Sequence, residues 1–135
     1  MAAIADDIVL LKPSEVTTVL EAAIRHRDNV CLIGPPGIGK SSLVEQAADA
    51  ADNDLIVSLP GLEDVTEPGG FPWIAPDHSH AKKVLFGQAY AAVNAKRPTT
   101  WHWEDFGTAA PSVQTSYMQW AWAREVNGYK LPEYV

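Results

Sequence analysis

Cysteine is nearly absent. Cys31 stands alone among 135 residues, so neither an intramolecular disulfide nor a cysteine-rich zinc site can form. Positive charge is scarce as well: 10 Lys and Arg face 17 Asp and Glu, a formal balance of −7. General nucleic-acid binding needs a dense cationic surface, and this balance weakens the case for it while leaving a local basic groove open, so no general nucleic-acid binding is expected. No apolar stretch approaches the roughly 20 residues that cross a bilayer. The start of the chain, Met1 to Asp7, is acidic where a secretory leader is basic, so the expectation is a cytoplasmic protein with no membrane partner. Internal repeats and low-complexity tracts are missing too. Disorder as the main state is excluded by 47% hydrophobic content and five tryptophans that need burial. A chain of this length suits one globular domain, and residues 1–135 are expected to form a single one.

Helix and strand signals alternate along the chain. Pro13-Ser14-Glu15 opens a helical pattern in which Ser14 is the expected cap and Val16, Leu20 and Ala23 form the apolar stripe. Arg25, His26 and Arg27 suit its negative end. Val30-Cys31-Leu32-Ile33 is an all-apolar run cut off at Gly34, which predicts a strand buried on both faces and, with it, a buried inert Cys31. Residues 41–51 predict a second helix, with Leu43, Ala47 and Ala51 on one face, and residues 55–59 a second strand. Residues 63–83, rich in Pro, Gly, Asp and His, are expected to be loop. A third helix is expected over residues 86–96, and Arg97-Pro98 ends it. Residues 99–103 are β-prone and aromatic. Pro111 suits the first position of a fourth helix with Val113, Tyr117, Trp120 and Ala121 as its stripe. Asn127-Gly128 marks a turn. Alternating strands and helices predict an α/β fold with a parallel sheet.

Gly34-Pro35-Pro36-Gly37-Ile38-Gly39-Lys40-Ser41 fits the pattern G-x-x-x-x-G-K-[ST] in full. Glycines at these places let consecutive backbone N–H groups turn inward on phosphate oxygens. Lys40 is expected to reach the β- and γ-phosphates and the Ser41 hydroxyl to ligate Mg²⁺, with Ser42 adding a backbone donor. The helix that follows points its positive end at the same anion. An apolar run before the motif and an amphipathic stretch after it supply the context that the motif requires. The implied ligand is ATP with Mg²⁺.

Trp101-His102-Trp103-Glu104-Asp105 is the second candidate, a β-prone segment ending in two carboxylates. Glu104 follows Ser41 at a distance that accommodates one intervening strand–helix unit. One such carboxylate can serve Mg²⁺ and the next can orient or deprotonate an attacking water. Glu104 is assigned the metal and Asp105 the water; which of the two holds the metal is open at this level.

With these residues in view, the chain resembles the MoxR-like branch of the AAA+ ATPases. The resemblance is carried by Leu32-Ile33 with the phosphate loop, by Glu104-Asp105-Phe106-Gly107-Thr108-Ala109-Ala110-Pro111-Ser112-Val113-Gln114, and by Arg124-Glu125-Val126-Asn127-Gly128-Tyr129-Lys130-Leu131-Pro132. It implies the three-layer P-loop NTPase sandwich, incomplete at the C-terminal end, and an ATP-driven, chaperone-like remodeller that works as a homo-oligomeric ring on a protein client. In that family a sensor strand, a trans-acting arginine finger and a helical lid follow, and none can be located before Val135. ATP hydrolysis by the isolated chain is therefore expected to be weak or absent. Two alternatives stay open: a nucleotide-binding module that does not hydrolyse, and a small-molecule P-loop kinase.

Other motifs carry less. Asp105-Phe106-Gly107 spells a kinase magnesium motif without the catalytic loop that would precede it. His78-Ser79-His80 has the look of half a metal site, but no Cys or carboxylate cluster completes it, and it reads as a polar loop. His102 reads as a strand residue and Arg124 as a helix-surface arginine.

Overall fold

A computed structural model of the chain describes residues 9–135; the acidic start lies outside them. The chain divides into two compact units, one ending at Ala51 and one running from Asp52 to Val135. Among the described residues no helix is long and apolar enough to cross a membrane.

The first unit holds helices α1 (Pro13–His26) and α2 (Lys40–Ala50), which pack on one another. Leu20 and Ala23 are buried on α1, with Val16 half-buried, as the stripe predicts. On α2 the buried residues are Val44, Ala47 and Ala48, while Leu43 and Ala51 are only half-buried. The cap of α1 is Lys12 rather than Ser14: its N–H donates to Glu15 Oε2 at 2.7 Å, and the Glu15 N–H returns to the Lys12 carbonyl at 2.9 Å. Pro13 at the first helical position has no N–H to satisfy, so the cap falls two residues earlier than expected. Arg27 ends α1 in a left-handed conformation, φ 63°.

The expected strand at residues 30–33 does not form; the segment lies outside every sheet of the described residues. A strand exists only through a hydrogen-bonded neighbour, and an apolar run without one remains irregular. Cys31 is consequently exposed, not buried.

The second unit is built on β1 (Asp54–Ser58), followed by a 3₁₀ turn (Pro60–Leu62) and the one-turn helix α3 (Thr66–Gly69). Next come β2 (Phe71–Ile74) and β3 (Ala81–Val84), then α4 (Gly87–Val93) and β4 (Thr99–Trp103). A second 3₁₀ turn (Phe106–Thr108) leads to α5 (Pro111–Ala123), β5 (Glu125–Val126) and β6 (Tyr129–Lys130). The α/β class with a parallel sheet is what forms: β1 and β4 pair in parallel from Asp54 opposite Thr99 to Ser58 opposite Trp103. Arg97 pins the start of this pair, its guanidinium reaching Asp52 Oδ1 at 2.9 Å and Asp54 Oδ1 at 3.3 Å. The stretch expected to be loop contains α3 and the antiparallel hairpin β2–β3, in which Lys82 lies over the Trp73 ring at 5.4 Å. Cross-strand contact of this kind offsets the low β-propensity of the surrounding Pro and Gly. The third helix is shorter than expected at both ends. Asn127-Gly128 forms the two-residue turn between β5 and β6, with φ of 50° and 84°, as a primed hairpin turn requires.

The core lies between β4 and α5. Trp101 and Trp103 share one face of β4, since strand side chains alternate. That face meets α5 through Val113, Tyr117 and Trp120, one residue per turn, while Ala121 is half-buried. Ring centroids lie 5.8 Å apart for Trp101–Tyr117, 5.8 Å for Trp101–Trp120 and 4.9 Å for Trp103–Tyr117. Trp120 Nε1 donates to the Pro68 carbonyl at 2.8 Å, tying α5 to α3. Leu85, Ala89 and Ala92 bring α4 and its approach into the buried set.

This packing separates two tryptophans two positions apart. Trp120 is 1% exposed and Trp122 81% exposed. Trp120→Ala is expected to cost about 3–5 kcal/mol in denaturant unfolding, and Trp122→Ala to stay within about 0.5 kcal/mol of the parent. Equal losses would contradict this assignment of the buried face of α5.

Candidate functional site

Residues 34–42 run from the end of the apolar segment into the first turn of α2. Gly34, Lys40 and Ser41 are half-buried; Pro35, Pro36, Gly37, Ile38, Gly39 and Ser42 are exposed. Gly37 and Gly39 sit at φ of 79° and 87°, left-handed conformations that L side chains adopt only with strain. Among the described residues nothing lies within 4 Å of where a Cβ on either would stand, so the surface over both glycines is open. Gly39 is the cap of α2, and its carbonyl accepts the Leu43 N–H at 3.0 Å. No acidic residue stands in the first turn of α2. The positive end of an eleven-residue helix is thus left uncompensated beside an open, glycine-lined surface.

The Lys40 ammonium folds back over this loop. Its Nζ donates to the Gly34 carbonyl and to the Pro35 carbonyl, each at 3.0 Å. Two backbone oxygens therefore hold the cation at the loop, and among the described residues no ion pair to it is formed. These features fit a bound polyphosphate: open glycine positions, a helix N-terminus and a held cation. Hard oxygen donors of the kind Mg²⁺ takes occur in each unit taken by itself, the Ser41 hydroxyl in the first and the Glu104 carboxylate in the second, and among the described residues no group of three His, Cys, Asp or Glu could hold a metal. Mg²⁺ is commonly held by one or two carboxylates together with the phosphates it accompanies.

The acid pair belongs to the second unit and follows β4 directly. Glu104 is half-buried, and its N–H extends the parallel ladder by donating to the Ser58 carbonyl at 3.0 Å. Asp105 is exposed and left-handed, φ 47°. Aspartate tolerates this region better than most residues, and such strain concentrates at functional sites. The turn is held by Thr108, whose N–H and Oγ1 both donate to the Asp105 carbonyl, at 2.9 and 2.8 Å. Phosphate loop and acid pair are thus both formed, each within its own unit.

Three residues behind the acid pair have a polar role that the sequence reading does not assign, Tyr117 being expected only as part of an apolar stripe. Ser58 is fully buried, and its Oγ accepts Trp101 Nε1 at 2.9 Å. Glu63 accepts the Leu59 N–H at 3.0 Å through Oε1 and the Tyr117 phenol through Oε2. Burial, with Glu63 as acceptor, pushes the Tyr117 phenol well above its ordinary range. The available signals were a lone serine ending an apolar strand and a tyrosine within an apolar stripe, since both need a polar partner when buried. Arg124, read as a surface residue, instead donates to the Pro132 and Val135 carbonyls at 2.8 Å each. His80 Nδ1 meets Ser79 Oγ at 2.8 Å, local loop chemistry rather than half a metal site.

Residues 29–68 match the family model of the AAA domain, dynein-related subfamily. Lon protease of Mycoplasma genitalium is 48% identical over 42 residues, which is 30% of this chain and 5% of that protein. Lon protease of Campylobacter jejuni and Lon protease 2 of Borreliella burgdorferi are each 50% identical over 42 residues, with the same coverage. The chain spans about 5% of the length of the curated relatives it matches. No solved structure matches it. The phosphate-loop part of the chain is thus similar to an AAA domain.

The raised Tyr117 phenol has a consequence with a definite sign. Above about pH 10 the unfolded phenol loses its proton while the folded one keeps it. Stability from this group is therefore complete below about pH 10 and falls as pH rises, by up to about 1.4 kcal/mol per unit. Urea unfolding of the parent and of Tyr117→Phe at a series of alkaline pH values should show a steeper fall in the parent. Equal slopes would contradict a phenol held protonated by burial and Glu63.

Proposed function

We propose that this chain carries the nucleotide-binding core of an AAA+ ATPase of the MoxR-like remodelling kind, binding ATP with Mg²⁺. The observation that carries the reading is the complete phosphate loop leading into α2, with Gly37 and Gly39 left-handed and the Lys40 ammonium held at the loop. The backbone N–H groups of Gly37, Ile38, Gly39, Lys40, Ser41 and Ser42 supply donors to the phosphates, Gly34, Pro35 and Pro36 shape the loop without a proline donor, and Lys40 supplies the cation. The Ser41 hydroxyl and the Glu104 carboxylate serve Mg²⁺, and Asp105 orients the attacking water. Bound Mg²⁺ contributes charge neutralisation at the transferring phosphoryl group. In this reading the protein works in the cytoplasm as part of a homo-oligomeric ring that acts on a protein client. The MoxR-like assignment is supported by the run from Glu104 through Gln114 and by the Arg124 to Pro132 segment, where β5 and β6 form their hairpin.

Binding is tested by thermal unfolding with and without Mg·ATP. A ligand taken only by the folded state raises the melting temperature by mass action. Mg·ATP should stabilise the parent, and Lys40→Ala should lose that response while its ligand-free melting stays close to the parent's. An unaltered response in Lys40→Ala would remove Lys40 from the site.

The acid pair is tested separately. Glu104→Gln should weaken the Mg²⁺-dependent part of the ATP response, whereas Asp105→Asn should leave binding intact and lower phosphate release. Exchange of these two phenotypes would reverse the two roles.

A further inference from the structure

We infer that Glu63, acting with Tyr117, is a positioning residue for Glu104; the inference rests on the reading of Glu104 as the carboxylate that serves Mg²⁺. Glu63 and Tyr117 are 54 positions apart in sequence yet share a hydrogen bond, and neither touches the acid pair directly in the bonds described above.

One carboxylate joins two elements here. Through Oε1, Glu63 fixes the Leu59 N–H immediately beyond β1; through Oε2, it accepts the phenol of Tyr117 from the middle of α5. Leu59 is the neighbour of Ser58, whose carbonyl receives the Glu104 N–H. The backbone at Glu104 is therefore anchored to Ser58, and the chain just after Ser58 is anchored to Glu63. A second path runs through the rings. Tyr117 is 1% exposed and packs on Trp101, Trp103 and Phe106, with centroids at 5.8, 4.9 and 6.3 Å. Trp103 immediately precedes the acid pair and Phe106 immediately follows it. The phenol–carboxylate bond sets the depth and tilt of the ring against which both ends of the turn rest. Both paths converge on the segment carrying Glu104 and the strained Asp105.

Glu63→Gln puts an NH₂ donor in place of one of the two acceptor oxygens and removes the charge, so one of the two hydrogen bonds loses its charged acceptor and its present direction. Tyr117→Phe removes the phenol oxygen and keeps the ring.

The test uses the full chain and two readouts. In the nucleotide-free protein, backbone hydrogen exchange should quicken at both Leu59 and Glu104 in Glu63→Gln and in Tyr117→Phe. The Leu43 amide in α2 should remain unchanged. In thermal unfolding with ATP, the Mg²⁺ concentration for half-maximal stabilisation should rise about tenfold in both variants, the scale seen when groups that orient a metal ligand are removed. Stabilisation by ATP in the presence of a chelator should stay at the parent's value. Glu104→Gln runs alongside. If Glu104→Gln leaves the Mg²⁺ requirement unchanged, the reading of Glu104 itself is overturned. If Glu104→Gln raises the requirement while Glu63→Gln and Tyr117→Phe do not, the positioning inference alone is overturned. Faster exchange at Leu59 with unchanged exchange at Glu104 would reduce Glu63 to a local clamp of the turn, and would also overturn it.

Discussion

Two indole rings on one face of a five-residue strand govern the second unit. Trp101 and Trp103 are far larger than the aliphatic residues usual in a buried strand, and each offers a flat face that needs matching surface. The match comes from α5, whose Tyr117 and Trp120 lie one turn apart and interleave with them. Once α5 is seated, Trp120 draws in α3 through the Pro68 carbonyl, and Asn127 closes the far hairpin onto Gly69 at 2.7 Å. The acid pair stands at the open end of this packed strand. Its location is a by-product of how much aromatic surface β4 has to bury.

The first unit is organised on another principle. Little side-chain bulk is committed in residues 34–39, and the loop is specified by backbone conformation: two left-handed glycines, then a helix that starts at once. A motif of this kind depends on local dihedral angles more than on distant packing. It forms here even though the apolar run before it has no strand partner among the described residues.

That difference explains what was legible in the sequence. The helix begun by Pro111 and the Asn127-Gly128 turn each depend on residues within a few positions of one another, and each forms as read; the left-handed Gly37 and Gly39 leading into α2 are likewise local, although the strand expected before them is absent. The acid pair was legible for the same reason, as carboxylates closing a β-prone segment. Residues 30–33 were misread because strand formation is a property of a pair, and an apolar tetrapeptide says nothing about its neighbour. The β2–β3 hairpin was hidden by composition: Pro, Gly, Asp and His suggested loop, while the cross-strand Trp73–Lys82 contact that helps hold it spans the turn. Ser14 lost the capping role to a reciprocal bond that Pro13 makes possible. Glu63 and Tyr117 were beyond reach, because nothing periodic links a loop glutamate to a helix residue so far along the chain.

The posture of Lys40 bears on how an anion would enter. An ammonium on a four-carbon stem ordinarily loses considerable rotational freedom when it is captured, and sheds water from every side. In this loop much of that freedom is already gone, because Gly34 and Pro35 hold the cation in place. Capture is then an exchange of acceptors, neutral carbonyl oxygens giving way to charged ones, with no stripped ammonium in between. The loop acts as its own placeholder, and the two prolines that follow Gly34 keep that placeholder from relaxing into ordinary helix.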